Sequence, residues 1–151
     1  MVRFVKPDSI NSGGHSQDKD NTFNFLGFTH YWAKSRKGMA VIKRSTEKSR
    51  FARALMKIKE WCRINRHNPV KEQHVTLNQK LRGHYTYYGI TGNSQMVANF
   101  YHEVRRIWRK WLQRRSCDGS IPWDNFALLE KVYPLTPARI VHSANLRKAT
   151  A

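Results

Sequence analysis

The sequence predicts a mainly α-helical chain: an N-terminal β-hairpin, a three-helix bundle and a short fourth helix. Three observations carry this. Aromatic and β-branched residues alternate with period two between Thr22 and Lys43, the apolar period becomes helical from Ser45, and proline and glycine punctuation cuts the helical part into four.

Taken in order, Val2-Arg3-Phe4-Val5 reads as a short strand, and residues 7–21 read as a loop through Pro7, Ser12-Gly13-Gly14 and Asp18-Lys19-Asp20-Asn21. Thr22–Trp32 (TFNFLGFTHYW) reads as one strand that Gly27 interrupts, a bulge or a point of close backbone approach. A polar turn, Ala33–Gly38, leads to a second strand, Met39–Lys43. Ser45 or Thr46 is the expected cap of the first helix, with Glu47 in its first turn and Phe51, Leu55, Ile58 and Cys62 on its apolar stripe beside Trp61. That helix is expected to stop near Arg66, because Asn68-Pro69 offers a cap and a first-turn proline. The second helix spans Pro69–Tyr88, with Val70, His74, Leu77, Leu81, His84 or Tyr85, and Tyr88 on its stripe; both histidines read as satisfied core or boundary residues. Gly89–Gly92 ends it. The third helix starts at Asn93 or Ser94 and buries Val97, Phe100, Tyr101, Val104, Trp108 and Trp111. A fourth runs from Pro122 to Val132, and residues 134–151 form an irregular, frayed tail.

The chain has 151 residues, a net charge of +18 and a pI near 10.5. The segment Lys34–Arg115 holds 21 Lys+Arg against four acids, a net of +17, so the basicity lies in the folded middle and not in a tail. Like charges repel in the compact state, and such a segment calls for a polyanion, with nucleic acid first and an anionic membrane surface second. No apolar run approaches the roughly 18 residues of a membrane span, and no signal peptide follows Met1. Cys62 reads as a small buried hydrophobe and Cys117 as an exposed thiol; two cysteines make neither a disulfide framework nor a zinc quartet, which suits a reduced, cytoplasmic setting.

No catalytic centre is expected. The ten acids are scattered singly apart from Asp18/Asp20, the seven histidines show no metal-ligand spacing, and Gly89–Gly92 (GITG) lacks the spacing and lysine of a phosphate loop. No cofactor or metal is therefore implied. Binding candidates are the bases turned outward when the apolar stripes face one another: Arg50, Arg53 and Lys57 on the first helix, Lys80 and Arg82 on the second, and Arg105, Arg106, Arg109 and Lys110 on the third. Each base alone is as often a solvated surface charge, and the tryptophans at helical spacing are core by default. Tyr87, one residue off its stripe, is suited to stacking or sugar contact. Arg82 stands beside Gly83, where the missing side chain lets another backbone come close.

The string Lys80–Ser94 (KLRGHYTYYGITGNS) resembles the signature of the maturase-specific domain of group II intron reverse transcriptases. The preceding FNFLGFTHYWAKSRKG resembles the hairpin that joins the palm to that domain, and NFYHEVRRIWRKWLQRRS and YPLTPARIVHS fit in order and spacing. The resemblance implies four units: 1–21, the end of a palm; 22–44, the palm-to-thumb hairpin; 45–133, the thumb-like maturase-specific domain; and 134–151, the tail. It implies that Phe25, Leu26, Gly27 and Phe28 form a primer-grip-like hairpin, with Gly27 permitting approach of the primer strand, and that the partner is group II intron RNA or an RNA/DNA duplex. The family's Tyr-Ala-Asp-Asp turn does not occur, so the chain alone is expected to bind intron RNA and support splicing without polymerising. The alternatives are a thumb completed in trans by an upstream fingers–palm chain, an inactive gene remnant, and a general nucleic-acid-binding domain.

Overall fold

The computed structural model describes residues 22–35, 37–115 and 120–142. The strand expected at Val2–Val5, the loop at 7–21 with Asp18/Asp20, and Cys117 lie outside the described residues.

The order is β1 (Thr22–Phe25), β2 (Phe28–Lys34), β3 (Ala40–Thr46), α1 (Lys48–Ile64), α2 (Val70–Tyr88), α3 (Ser94–Gln113) and α4 (Trp123–Val132). The expected single strand at 22–32 is two. Leu26 (φ 50°) and Gly27 (φ 78°) both take left-handed backbone, and Phe25 pairs with Phe28 across them. Two successive positive φ values make the two-residue turn whose twist matches a hairpin, so Gly27 closes a turn and the β-unit is a three-stranded antiparallel sheet, β1-β2-β3. Leu26 pays for its β-carbon there, and Gly27 does not.

The expected cap of α1 is also displaced. Ser45 and Thr46 remain in β3, paired with Thr29 and Phe28, and Glu47 occupies the cap position. Its amide donates to Gly27 O at 2.9 Å, which locks the hairpin turn to the start of the helix.

The core is built where α1 and α2 pack on α3: Ile58, Cys62, Leu77, Leu81, Tyr85, Val97, Phe100, Val104 and Trp108 are buried together, and Phe126 of α4 joins them. The stripes are those of the helical period. Three buried polar side chains fasten the corners. Trp108 Nε1 donates to Gln73 Oε1 (3.0 Å), while Gln73 Nε2 donates to Asn68 O (2.8 Å) and so holds the α1–α2 loop. Asn93 accepts the Thr46 amide and donates to Thr46 Oγ1 and Tyr88 O, joining the sheet to the ends of α2 and α3. Asn78 accepts from the amide and hydroxyl of Thr136.

That last contact corrects the expectation of fraying at the start of the tail. Residues after Tyr133 are irregular, but through His142 they lie as a strap on α2. Leu135 is buried, Tyr85 donates its hydroxyl to Thr136 O (3.0 Å), and the Val141 and His142 amides donate to Gly89 O (2.7 and 2.9 Å). A β-carbon on Gly89 would sit 2.9 Å from Arg139 O of the strap and 2.3 Å from Tyr85 O of α2's own last turn. Only glycine fits.

Candidate nucleic-acid interface

The hairpin turn, the first turn of α1 and the last turn of α2 enclose an open cleft of about 600 Å³. Phe25, Leu26 and Gly27 form one wall, Arg50 another, and Tyr87 and Tyr88 the third. Tyr87 is 53% exposed, donates its hydroxyl to Leu26 O (2.8 Å) and stacks on Phe28 (centroids 6.0 Å, 11° between planes). Phe25 and Leu26 are exposed at the tip, and Phe28 packs inward on Tyr88. The room beside Gly27 is occupied by the chain itself, since a β-carbon there would lie 3.1 Å from the Tyr88 hydroxyl.

Along α2, Lys80 and Arg82 are exposed and neither joins an ion pair among the described residues; the Lys80 ammonium sits 5.7 Å from the Trp61 ring centroid. A β-carbon on Gly83 would meet nothing within 4 Å, so among the described residues no backbone uses the space that the glycine leaves. On α1, Arg50, Arg53 and Lys57 share an exposed face, with Arg50 4.0 Å from Glu47.

The bases of α3 divide. Arg106 is exposed beside Glu103 (2.9 Å), and Lys110 is exposed with no ion-pair partner among the described residues. Arg105 and Arg109, expected to turn outward, are part-buried and engaged within the fold. Arg105 forks onto Glu130 and ties α3 to α4; that hydrogen-bonded carboxylate holds its guanidinium pKa above the ordinary value. Arg109 donates twice to Ile121 O (2.9 and 2.6 Å) and lies 4.1 Å over the Trp123 ring. The stripe argument locates the apolar face correctly but is blind to the loop before α4, whose carbonyl draws Arg109 in.

A second groove, about 510 Å³, opens between α1, α3 and the start of α4, and is walled by Lys59, Arg106, Arg109, Lys110, Trp111 and Trp123. From the sequence Trp111 is core, which it borders here, Lys59 merely continues the charge of the first helix, and Trp123 carries no assignment. The one local signal for Trp123 is its place directly after Pro122, at the first turn of a helix.

Two groups are excluded from chemistry by burial. Cys62 is buried, which pushes its thiol up to about 12, so it forms no nucleophilic thiolate near neutrality. His84 lies flat on Phe100 (centroids 3.6 Å, 7°), and burial pushes its pKa down to about 4. Its Nε2 is buried without a hydrogen-bond partner among the described residues, against the expectation of a satisfied histidine; His74 does bond Pro134 O (2.8 Å). Among the described residues no group of His, Cys, Asp and Glu could hold a metal ion, and no helix is long and apolar enough to cross a membrane.

The family model of the group II intron maturase-specific domain matches residues 51–124. Residues 51–124 are a group II intron maturase-specific domain. Comparison with curated proteins and with solved structures returned no match. The maturase-specific domain begins in the first turn of α1 and ends in the first turn of α4, so it coincides with the three-helix bundle. It holds Arg53, Lys57, Lys80, Arg82, Tyr87 and every basic candidate on α3. The hairpin and the strap flank the maturase-specific domain, and Arg50 stands one residue before it.

Proposed function

We propose that this maturase-specific domain binds structured group II intron RNA and supports its splicing. Phosphates would lie along the exposed bases of α1 and α2, and the hairpin cleft would take the strand at Arg50 and Tyr87. The observation that carries this reading is the family match combined with Arg53, Lys57, Lys80 and Arg82, exposed bases of the matched bundle with no ion-pair partner among the described residues. Tyr87 adds an exposed ring held in place from behind, and an aromatic face among cations supplies both stacking and phosphate neutralisation. Phe25, Leu26, Gly27 and Phe28 fit a strand-gripping tip in this reading, with Gly27 shaping the turn.

The test is binding of the whole chain to a folded group II intron RNA and to an unrelated structured RNA of equal length, alongside the Arg82→Ala and Lys80→Ala/Arg82→Ala variants. Tighter binding to the intron, weakened about tenfold in the double variant with helicity unchanged, is expected. Equal affinity for the two RNAs would remove the intron assignment, and no binding to either would remove the RNA reading.

A further inference from the structure

We propose that the groove between α1, α3 and the start of α4 is a stacking pocket for one unpaired nucleotide, separate from the hairpin cleft. This rests on the RNA-binding reading and adds the kind of RNA feature recognised. The groove's single acid, Glu103, is already paired with Arg106, while Lys59 and Lys110 have no ion-pair partner among the described residues. The wall is therefore cationic and suits a phosphate.

The aromatic part selects the ligand further. Trp123 is 48% exposed, yet it is not loose: Arg109 covers one face at 4.1 Å and Phe126 meets it edge-on (centroids 5.9 Å, 79°). Arg109 is itself fixed by the Ile121 carbonyl, so the ring is a rigid platform with surface left open to solvent. In the same groove, Trp111 Nε1 is a buried donor with no hydrogen-bond partner among the described residues. A volume of about 510 Å³ falls in the range of small-ligand pockets, roughly 300–1,000 Å³. A base inside a duplex has both faces stacked and cannot use such a platform, whereas a bulged or loop base offers its face. An acidic peptide would satisfy the lysines but leaves the fixed indole without a planar partner.

The experiment compares an RNA hairpin carrying one bulged 2-aminopurine with the same hairpin fully paired, against the whole chain and its Trp123→Ala and Trp123→Phe variants, with melting curves for each protein. Trp123→Ala should weaken binding of the bulged hairpin about tenfold and leave the paired one nearly unchanged, and Trp123→Phe should recover most of the loss. The 2-aminopurine emission should be quenched by wild type and by Trp123→Phe. No bulge-specific loss in Trp123→Ala, or a loss that Trp123→Phe does not recover, overturns the proposal. Should Trp123→Ala fail to fold, quenching by the other two proteins decides: present supports, absent overturns. Wild type binding both hairpins with no bulge-specific effect of the variants defeats this inference alone, and wild type binding neither defeats the RNA reading with it.

Discussion

Gly83 and Gly89 stand six residues apart in one string and answer to opposite constraints. Gly89 is pressed between the Tyr85 carbonyl and the strap, so Gly89→Ala should cost about 2 kcal/mol through overpacking. Gly83 is inside a helix with open space around it, so Gly83→Ala should raise stability by up to about 1 kcal/mol by helix propensity. Urea melts of the two variants check the pair; opposite signs are the expected result, and a destabilised Gly83→Ala would mean that its space is used within the fold. Arg82 was singled out because Gly83 lets another backbone come close, and among the described residues none does. At Gly27 the residue-level reading was a bulge or a close approach, and the structure sets the Tyr88 hydroxyl close against it.

At the scale of elements, the α2–α3 seam contains, in His84, a titration with a large consequence in mildly acidic solution. His84 packs on Phe100, with Tyr85 and Tyr88 as its other ring neighbours. Its folded pKa near 4 lies below the ordinary 6.5, so between these values the unfolded chain binds a proton that the folded chain refuses. The stabilisation is whole above pH 6.5 and is lost as pH falls from 6.5 through 4, by roughly 3 kcal/mol in all. His84→Phe keeps a flat ring on Phe100 and removes the proton site. Stability measured by urea from pH 7 to 4 should slope less in this variant; an identical slope would place the acid sensitivity elsewhere. Asn93, Asn78 and Gln73, which also join elements, are neutral amides whose donors and acceptors are met across loops.

For the molecule as a whole, charge sets the binding law. Contact with six to ten phosphates should reduce affinity for RNA by about 10³ to 10⁵ between 50 and 200 mM salt. A salt titration of the full chain measures this, and a flat response would leave the +17 segment without its polyanion.

What could be read from the sequence alone was what repeats or accumulates along it. The helical period from Phe51 onward, the breaks at Asn68-Pro69 and Gly89–Gly92, the excess of bases and the string Lys80–Ser94 are all properties of neighbouring residues, and they delivered the bundle and its family. Tertiary structure decided the rest. Whether Gly27 is a bulge or a turn depends on β1 folding back on β2, and whether the tail frays depends on Gly89 O meeting two amides some fifty residues away. Arg105, Arg109 and Lys110 read alike as bases on one helix, yet Glu130 and the Ile121 carbonyl take the first two and leave the third in solvent. A side chain's partner is chosen by distance in space, and a periodic pattern carries the direction of a helix face but not what another loop brings to it.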